Sequence, residues 1–425
     1  MGSVSASYYN NSWAVELKCP QCGAPVTLEE ADRILLCAFC RVRLLILYPG
    51  HPCYYLEPYQ DRKQDKGLIY VPYWRFRGIA YACSQPNQEN RFIDTTFLAA
   101  EIPFLPISLG LQARTFKLRL LSSQKKGRFL QPHLPVKEFL TRITEERISL
   151  PESEEVPALH RQVFVGETVS LVYAPIFLKE GMVFDGLGDR ILGKAREADF
   201  EPFPVHVQEE SWQVHFIPIL CPYCGADLQG EKDTQVLLCR NCDRVWEYSK
   251  EGLKKLDAGI VDASGGQPPY FIPFWRIRAR VSGRSPRGLT KLARLVVPPE
   301  EEGANGEKEE LFFWVPAFKI FPSLFLNLSK AVSFRRPLKV QFLEKVPKGN
   351  YYPVTLPWDQ AREGLEAVWA DLSKNDLSLN LPQIKIEPLD HLLVFIPFHL
   401  QGGELVQEEM SVGINKNALH FGRFL

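Results

Sequence analysis

The chain has no net charge of either sign: 50 Lys and Arg residues balance 50 Asp and Glu residues. That balance excludes a global electrostatic pull toward nucleic acid or an anionic membrane surface. Any basic surface must come from local clustering. Long apolar runs are also missing. No stretch approaches the ~18 uninterrupted apolar residues of a membrane-spanning helix, so no membrane insertion is expected. The opening residues, MGSVSASYYN, have neither the basic start nor the apolar run of a signal peptide. Ala6 also stands where a myristoylation pattern needs Ser or Thr. A cytoplasmic location is the expectation. Catalytic signatures are scarce as well. The eight histidines form no His-Glu-x-x-His pair and none flanks a CxxC at ligand spacing. There is no Gly-x-Ser-x-Gly elbow, and carboxylates pair only in charge runs of the kind that face solvent. Nothing unites a nucleophile, a base and an oxyanion hole, so the expected protein is not an enzyme.

What the chain does have is a hydrophobic content of 45% over 425 residues, enough for two domains with separate cores. It also has cysteine in a strict pattern. Residues 19–40 read CPQCGAPVTLEEADRILLCAFC and residues 221–242 read CPYCGADLQGEKDTQVLLCRNC. Both obey C-x2-C-x14-C-x2-C, with Gly after the second Cys and Leu-Leu before the third. Two C-x2-C turns joined by a hairpin bring four thiolates to one ion at ~2.3 Å and close its shell, which makes such a site structural. Cys19, Cys22, Cys37 and Cys40 form one expected Zn²⁺ site; Cys221, Cys224, Cys239 and Cys242 form the other, two ions per chain. As zinc thiolates, the two sites shift the chain to about −4. Iron is the chemical rival, but rubredoxin-like sites follow both knuckles with Gly, and here Arg41 or Asp243 follows the second. Cysteines paired in this way, without an export signal, suit a reducing compartment. Cys53 and Cys83 are left over and read as ordinary buried or partly buried thiols, with Lys255 and Arg284 at the matching second-half positions.

The repeat continues beyond the cysteines. IYVPYWRFRG (69–78) matches YFIPFWRIRA (270–279), and KGRFLQPHLP (126–135) matches KGNYYPVTLP (348–357). VYAPIFLKEG (172–181) matches VFIPFHLQGG (394–403), and FLPISL (104–109) resembles WVPAFK (314–319). Order is kept while the offset grows after the first strand, which places the extra residues in loops near 84–103 and 283–313. The expected architecture is β-rich α+β with an internal duplication. Residues 1–210 make one half (ribbon 15–48) and 211–425 the other (ribbon 217–248). Each half has a four-cysteine ribbon and a β-rich domain with one amphipathic helix. Prolines should open strands or lie on edges, where the missing N–H costs nothing. The helix is clearest at 358–374, where Trp358, Ala361, Leu365, Trp369 and Leu372 make one apolar stripe; its counterpart spans 135–150.

CPQCG…CAFC and CPYCG…CRNC resemble the zinc ribbons of the transcription factor IIB type. Their combination with VPYW, IPFW and VPAFK strands is similar to bacterial zinc-ribbon proteins of uncertain activity. The ribbon resemblance covers about 30 residues per half. It implies binding, to nucleic acid in some members and to protein in others, and does not imply catalysis.

Arg75 and Arg77 match Arg276 and Arg278, with Arg280 extending the second stripe. A period of two puts these arginines on one strand face, where they are candidates for anion or partner contact. A half-buried strand whose arginines pair with nearby acids accounts for the same pattern and is favoured. GDRILGKA (188–195) comes close to a phosphate-binding loop, but Ala195 stands where a Mg²⁺-binding hydroxyl belongs, and a β-hairpin is favoured. His399 reads as strand packing. The leading function is a non-catalytic zinc-binding adaptor or assembly component with a protein partner. A nucleic-acid-binding role ranks second and an unrecognised enzyme third.

Overall fold

The computed structural model describes residues 13–59, 67–83, 88–110, 116–122, 125–147, 161–188, 190–204, 214–262, 269–282, 309–335, 339–373 and 385–423. The first half begins with β1 (Ala14–Lys18), β2 (Pro25–Glu29), β3 (Ile34–Leu36) and β4 (Arg43–Leu47), the ribbon strands. There follow β5 (Cys53–Leu56), β6 (Leu68–Cys83), β7 (Gln88–Leu98), β8 (Leu118–Leu120), β9 (Arg128–Phe129), α1 (Val136–Arg147), β10 (Arg161–Lys179), β11 (Met182–Asp185) and β12 (Ile191–Lys194). The second ribbon comprises β13 (His215–Pro218), β14 (Leu228–Gln229), β15 (Val236–Cys239), β16 (Val245–Ser249) and β17 (Gly252–Leu256). Its domain continues with β18 (Ala258–Val261), β19 (Tyr270–Ser282), β20 (Glu309–Pro316), α2 (Pro322–Arg335), β21 (Val340–Phe342), β22 (Asn350–Tyr351) and α3 (Trp358–Ser373). The last elements are β23 (Lys385–Gln401), β24 (Glu404–Gln407), β25 (Val412–Asn415) and α4 (Lys416–Gly422). The protein is β-rich, with the helices against sheets. Among the described residues no helix is long and apolar enough to cross a membrane.

Two long antiparallel strands organise each domain, β6 with β10 and β19 with β23. In the first half β6 also pairs with β7 and, in parallel, with β9; β10 also pairs with β5 and β11. In the second half β19 takes β20 and parallel β22, while β23 takes β18 and β24. Detailed contacts recur with this pairing. Trp74 Nε1 donates to the Leu134 carbonyl at 2.6 Å, and Trp275 Nε1 donates to the Leu356 carbonyl at 3.0 Å. Tyr70 stacks on Phe129 as Phe271 stacks on Tyr351.

The prolines are not where the sequence led us to expect them. Pro72 and Pro273 lie inside β6 and β19, and Pro175 lies inside β10. Each sits where the long strand changes partner on one side. Pro72 falls between β9 and β7, and its carbonyl accepts from Ala99 N; Pro273 falls between β22 and β20 and accepts from Ala317 N. The missing N–H therefore points into the gap between two successive partner strands, so an interior proline costs no ladder bond.

The register corrects one alignment. Leu98 opposes Tyr73 and Pro316 opposes Phe274, so TTFLAA (95–100), not FLPISL (104–109), lies where FWVPAF (313–318) lies. Residues 104–109 form no strand. Similarly, Cys53 and Ala258 share a register, pairing with Leu171 and Leu393, so Ala258 replaces Lys255 as the match. The differences are not confined to the expected loops either. The second half has α2 after its strand, where the first has irregular chain at 101–110. Phe325, Leu328 and Val332 bury one face of α2, and Lys330 binds Asp371 of α3 at 2.5 Å. The helix at Trp358–Ser373 matches the expected stripe, with Ala361, Leu365 and Trp369 buried.

Candidate metal centres

Each ribbon places its first CxxC just after a strand; its second begins just after β3 in ribbon 1 and at the last residue of β15 in ribbon 2. The knuckles close by backbone bonds: Gly23 N donates to the Cys19 carbonyl and Arg41 N to the Cys37 carbonyl. Gly225 N repeats this on Cys221. The residue after each second cysteine is left-handed: Gly23 (φ 75), Arg41 (φ 59), Gly225 (φ 73) and Asp243 (φ 56). A Cβ on Gly23 or Gly225 would meet no protein atom within 4 Å, so those glycines answer to φ and not to crowding.

The four sulfurs of each set lie within 4.8 Å of one another. Sγ–Sγ distances are 3.8 Å for Cys19–Cys40, 3.7 Å for Cys22–Cys37, 3.6 Å for Cys221–Cys242 and 3.5 Å for Cys224–Cys239. A tetrahedron with ~2.3 Å metal–sulfur bonds has edges of about 3.8 Å, so both sets fit one ion each. None of the eight is in a disulfide. Backbone amides favour thiolates here. The amide of Cys40 is the main cause that lowers Cys37 to about 6; the Asn241 side chain, then the Ala226 amide, lower Cys224 to about 6. Burial and the neighbouring sulfurs push Cys242 up to about 12, as expected where four thiols crowd together. A divalent cation would offset that repulsion. Two four-cysteine groups that could bind metal are thus in place.

The two ribbons are seated differently. Ribbon 1 lies on the arginine face of β6. Arg75 is 1% exposed, and its Nε and Nη2 donate to Glu30 at 2.9–3.2 Å. Nη1 binds Asp94, and the guanidinium lies 4.7 Å from the Trp13 ring. Arg75, expected as an anion or partner contact, is therefore sealed inside the protein. Arg77 is buried beside it and lies over Phe92. Ribbon 2 instead sits on the Lys-Gly turn of its own half. Arg240 donates to the carbonyls of Val346 and Pro347 and covers Tyr351, and Asp243 accepts from Val346 N. Arg276 is half-buried over Phe312; Arg278 binds Asp390, and Arg280 lies 3.8 Å from Glu387. Sequence reasoning missed Glu30, Asp94, Arg240 and Asp243, whose partners are remote in the chain.

The ribbons also touch each other. β13 crosses to pair with β4, and Ile34, Leu45 and Leu47 pack with Ile219, Leu237 and Trp246. Arg43 donates to the carbonyls of Leu228 and Gly230. Within GDRILGKA, Ile191–Lys194 form strand β12, with Gly193 tight against the Phe104 carbonyl. His399 is a half-buried strand residue opposite Val406. Cys53 is buried, and burial raises its thiol pKa, whereas the side chain of Cys83 lies outside the described residues. No family model, curated protein or solved structure matches the chain.

Proposed function

We propose that this chain is a non-catalytic protein holding two structural zinc ions, built from two duplicated halves, that serves as a protein-binding adaptor or assembly component. The closed four-sulfur geometry of both clusters carries the metal part of this reading, because the four ligands leave zinc no open position for substrate. Zinc is favoured over iron by the Arg41 and Asp243 knuckles. Ribbons of the transcription factor IIB type serve binding, which agrees with this role.

A protein partner is favoured over nucleic acid on two grounds. Arg75 is committed to internal carboxylates, and Arg278 and Arg280 face Asp390 and Glu387, so the stripes form no continuous basic track. Apolar side chains stand exposed at the knuckles: Phe39 is 69% and Tyr223 66% exposed, with Leu36 and Leu220 beside them. Such a surface suits apolar contact with protein. The test is to isolate the tagged chain under native conditions and identify what accompanies it. A stoichiometric protein lost on Phe39→Ser supports the reading. Copurifying nucleic acid, with steep salt dependence that falls by about two in slope for Arg276→Ala plus Arg278→Ala, would reverse it.

A further inference from the structure

β8 and β21 hold the same position in their sheets. β8 pairs antiparallel with β5, Tyr54 against Leu120, and β21 pairs antiparallel with β18, Gly259 against Phe342. Just past each strand one bond recurs, Leu121 N to the Cys53 carbonyl and Leu343 N to the Ala258 carbonyl. The side chains repeat as well: Arg119 lies 3.4 Å from Glu57, and Gln341 Nε2 donates to Asp262 at 2.9 Å. On its other side β8 takes β1 in parallel, with Val15 opposite Leu118 and Glu16 opposite Arg119. β21 takes no second strand among the described residues. Counting back from the first cysteine of ribbon 2, the strand that would match β1 is β13. It crosses to β4 instead, and Pro218 stands at the place of Glu16.

What β1 does for β8 is therefore left undone at β21. Leu118 is 0% exposed and clusters with Trp13 and Val15. Val340, its match, is half-buried, and Phe342 is 72% exposed, the highest of the exposed large apolar side chains among the described residues. Along an antiparallel pair, successive residues turn their backbone polar groups to opposite sides. Leu343 faces β18, so Val340 and Phe342 turn outward, as Leu118 and Leu120 turn toward β1. The Phe342 carbonyl is held by Glu344 N, which leaves the Val340 and Phe342 N–H groups at the edge. Outward N–H groups beside an exposed ring make a template for one more strand. Charge adds a preference. Glu16 of β1 binds Lys117 and Arg119, and Lys339 stands where Lys117 does, exposed and with no acidic partner among the described residues.

We infer that the open edge of β21 binds an extended segment of a partner protein, parallel to β21, in which apolar residues alternate with an acid that meets Lys339. This rests on the protein-binding reading above and gives that partner its chemistry. Main-chain bonds to Val340 and Phe342 supply affinity, while the Phe342 ring and Lys339 select the side chains. Beyond β21 the chain runs to Val346, whose N–H bonds Asp243 at the second knuckle of ribbon 2, so the edge leads up to the metal-bearing surface.

The test is fluorescence anisotropy of a labelled peptide, WAVELK (the sequence of residues 13–18), titrated with the full-length, metal-loaded chain, with amide exchange to locate it. The expected result is saturable binding with Kd below roughly 1 mM and added protection in β21. Phe342→Pro removes one outward N–H together with the ring, and should weaken binding about tenfold or more. Should that variant fail to fold, Lys339→Glu, at an exposed position, carries the test. It should weaken WAVELK about threefold and come to prefer the peptide WAVKLK. No saturable binding, protection elsewhere, or variants that bind like wild type would overturn the assignment. Self-association of the chain that Phe342→Pro abolishes would give the edge to a second copy and overturn it equally. If the peptide fails to bind while a protein still copurifies with the tagged chain, the edge assignment falls and the adaptor reading stands.

Discussion

Arg75 and Arg276 occupy matching places in β6 and β19, each next to a tryptophan that bonds a loop carbonyl. Arg75 is fully enclosed by Glu30, Asp94 and Trp13, whereas Arg276 is half-buried over Phe312. The cause is two residues. Asp94 opposes Arg77 in the register where Phe312 opposes Arg278, and the ribbon position of Glu30 is taken by Lys232 in the other ribbon. With both carboxylates gone, a ribbon docked on Arg276 would bury an unpaired cation, and ribbon 2 sits instead on the turn at 346–349. Two clusters of the same cysteine spacing are therefore seated in two ways, and a pair of charges accounts for the difference.

The largest effects should come from breaking the ribbons themselves. Cys37→Ser and Cys239→Ser should each lower Tm by roughly 10 °C or more, since metal binding is coupled to local folding. Each ribbon contacts its own domain, ribbon 1 through Glu30 and ribbon 2 through Arg240, and both share the β13–β4 pairing and the Arg43 bonds, so the two losses should be similar. A large loss in one variant alone by calorimetry would show that only one ribbon is structural.

Next in size is the arginine pair. Arg75→Met should destabilise by about 3–5 kcal/mol, because two buried carboxylates lose their cation. Arg276→Met should stay within about 1 kcal/mol, as for a half-buried, weakly paired site that leaves no buried carboxylate behind. Denaturant unfolding of both variants decides this, and a similar cost at both positions would refute the docking argument. The tryptophans should behave alike: Trp74→Phe and Trp275→Phe each lose one buried hydrogen bond, about 1–2 kcal/mol. A large difference between them would count against the proposed duplication.

How much of this was legible in the sequence follows from the range of the interactions. The cysteine spacing and the stripe of α3 are local patterns, and both are seen in the structure as expected. The fate of Arg75 depends on Glu30 and Asp94, which lie 45 and 19 residues away, so periodicity could only place it on a face. FLPISL drew the alignment because it carries a proline, while the true partner TTFLAA has none. Helix α2 was missed although Pro322 at its first position and apolar residues at 325, 328 and 332 signalled it. How the ribbons dock on each other depends on surface shape and on β13 crossing over, which no spacing encodes.

The smallest expected effect concerns Asp32, which is buried in ribbon 1 where ribbon 2 has Thr234. Burial raises Asp32 to about 6, opposed by the Glu29 amide and Lys232. The folded state therefore holds this proton more tightly than the unfolded chain. Its contribution is favourable below the unfolded value near 3.8 and is lost as pH rises to about 6. Asp32→Asn should flatten the stability profile across that window and be slightly stabilising at pH 7. A profile unchanged between pH 4 and 6 would show that Asp32 is ionised throughout.

The most direct test of the central claim is the metal content of the purified chain under reducing, metal-replete conditions, read by native mass spectrometry with elemental analysis. The account predicts two zinc ions per chain and negligible iron, with Cys37→Ser and Cys239→Ser each losing one ion while the other is retained. One zinc or fewer in the wild type, or iron in its place, would contradict it.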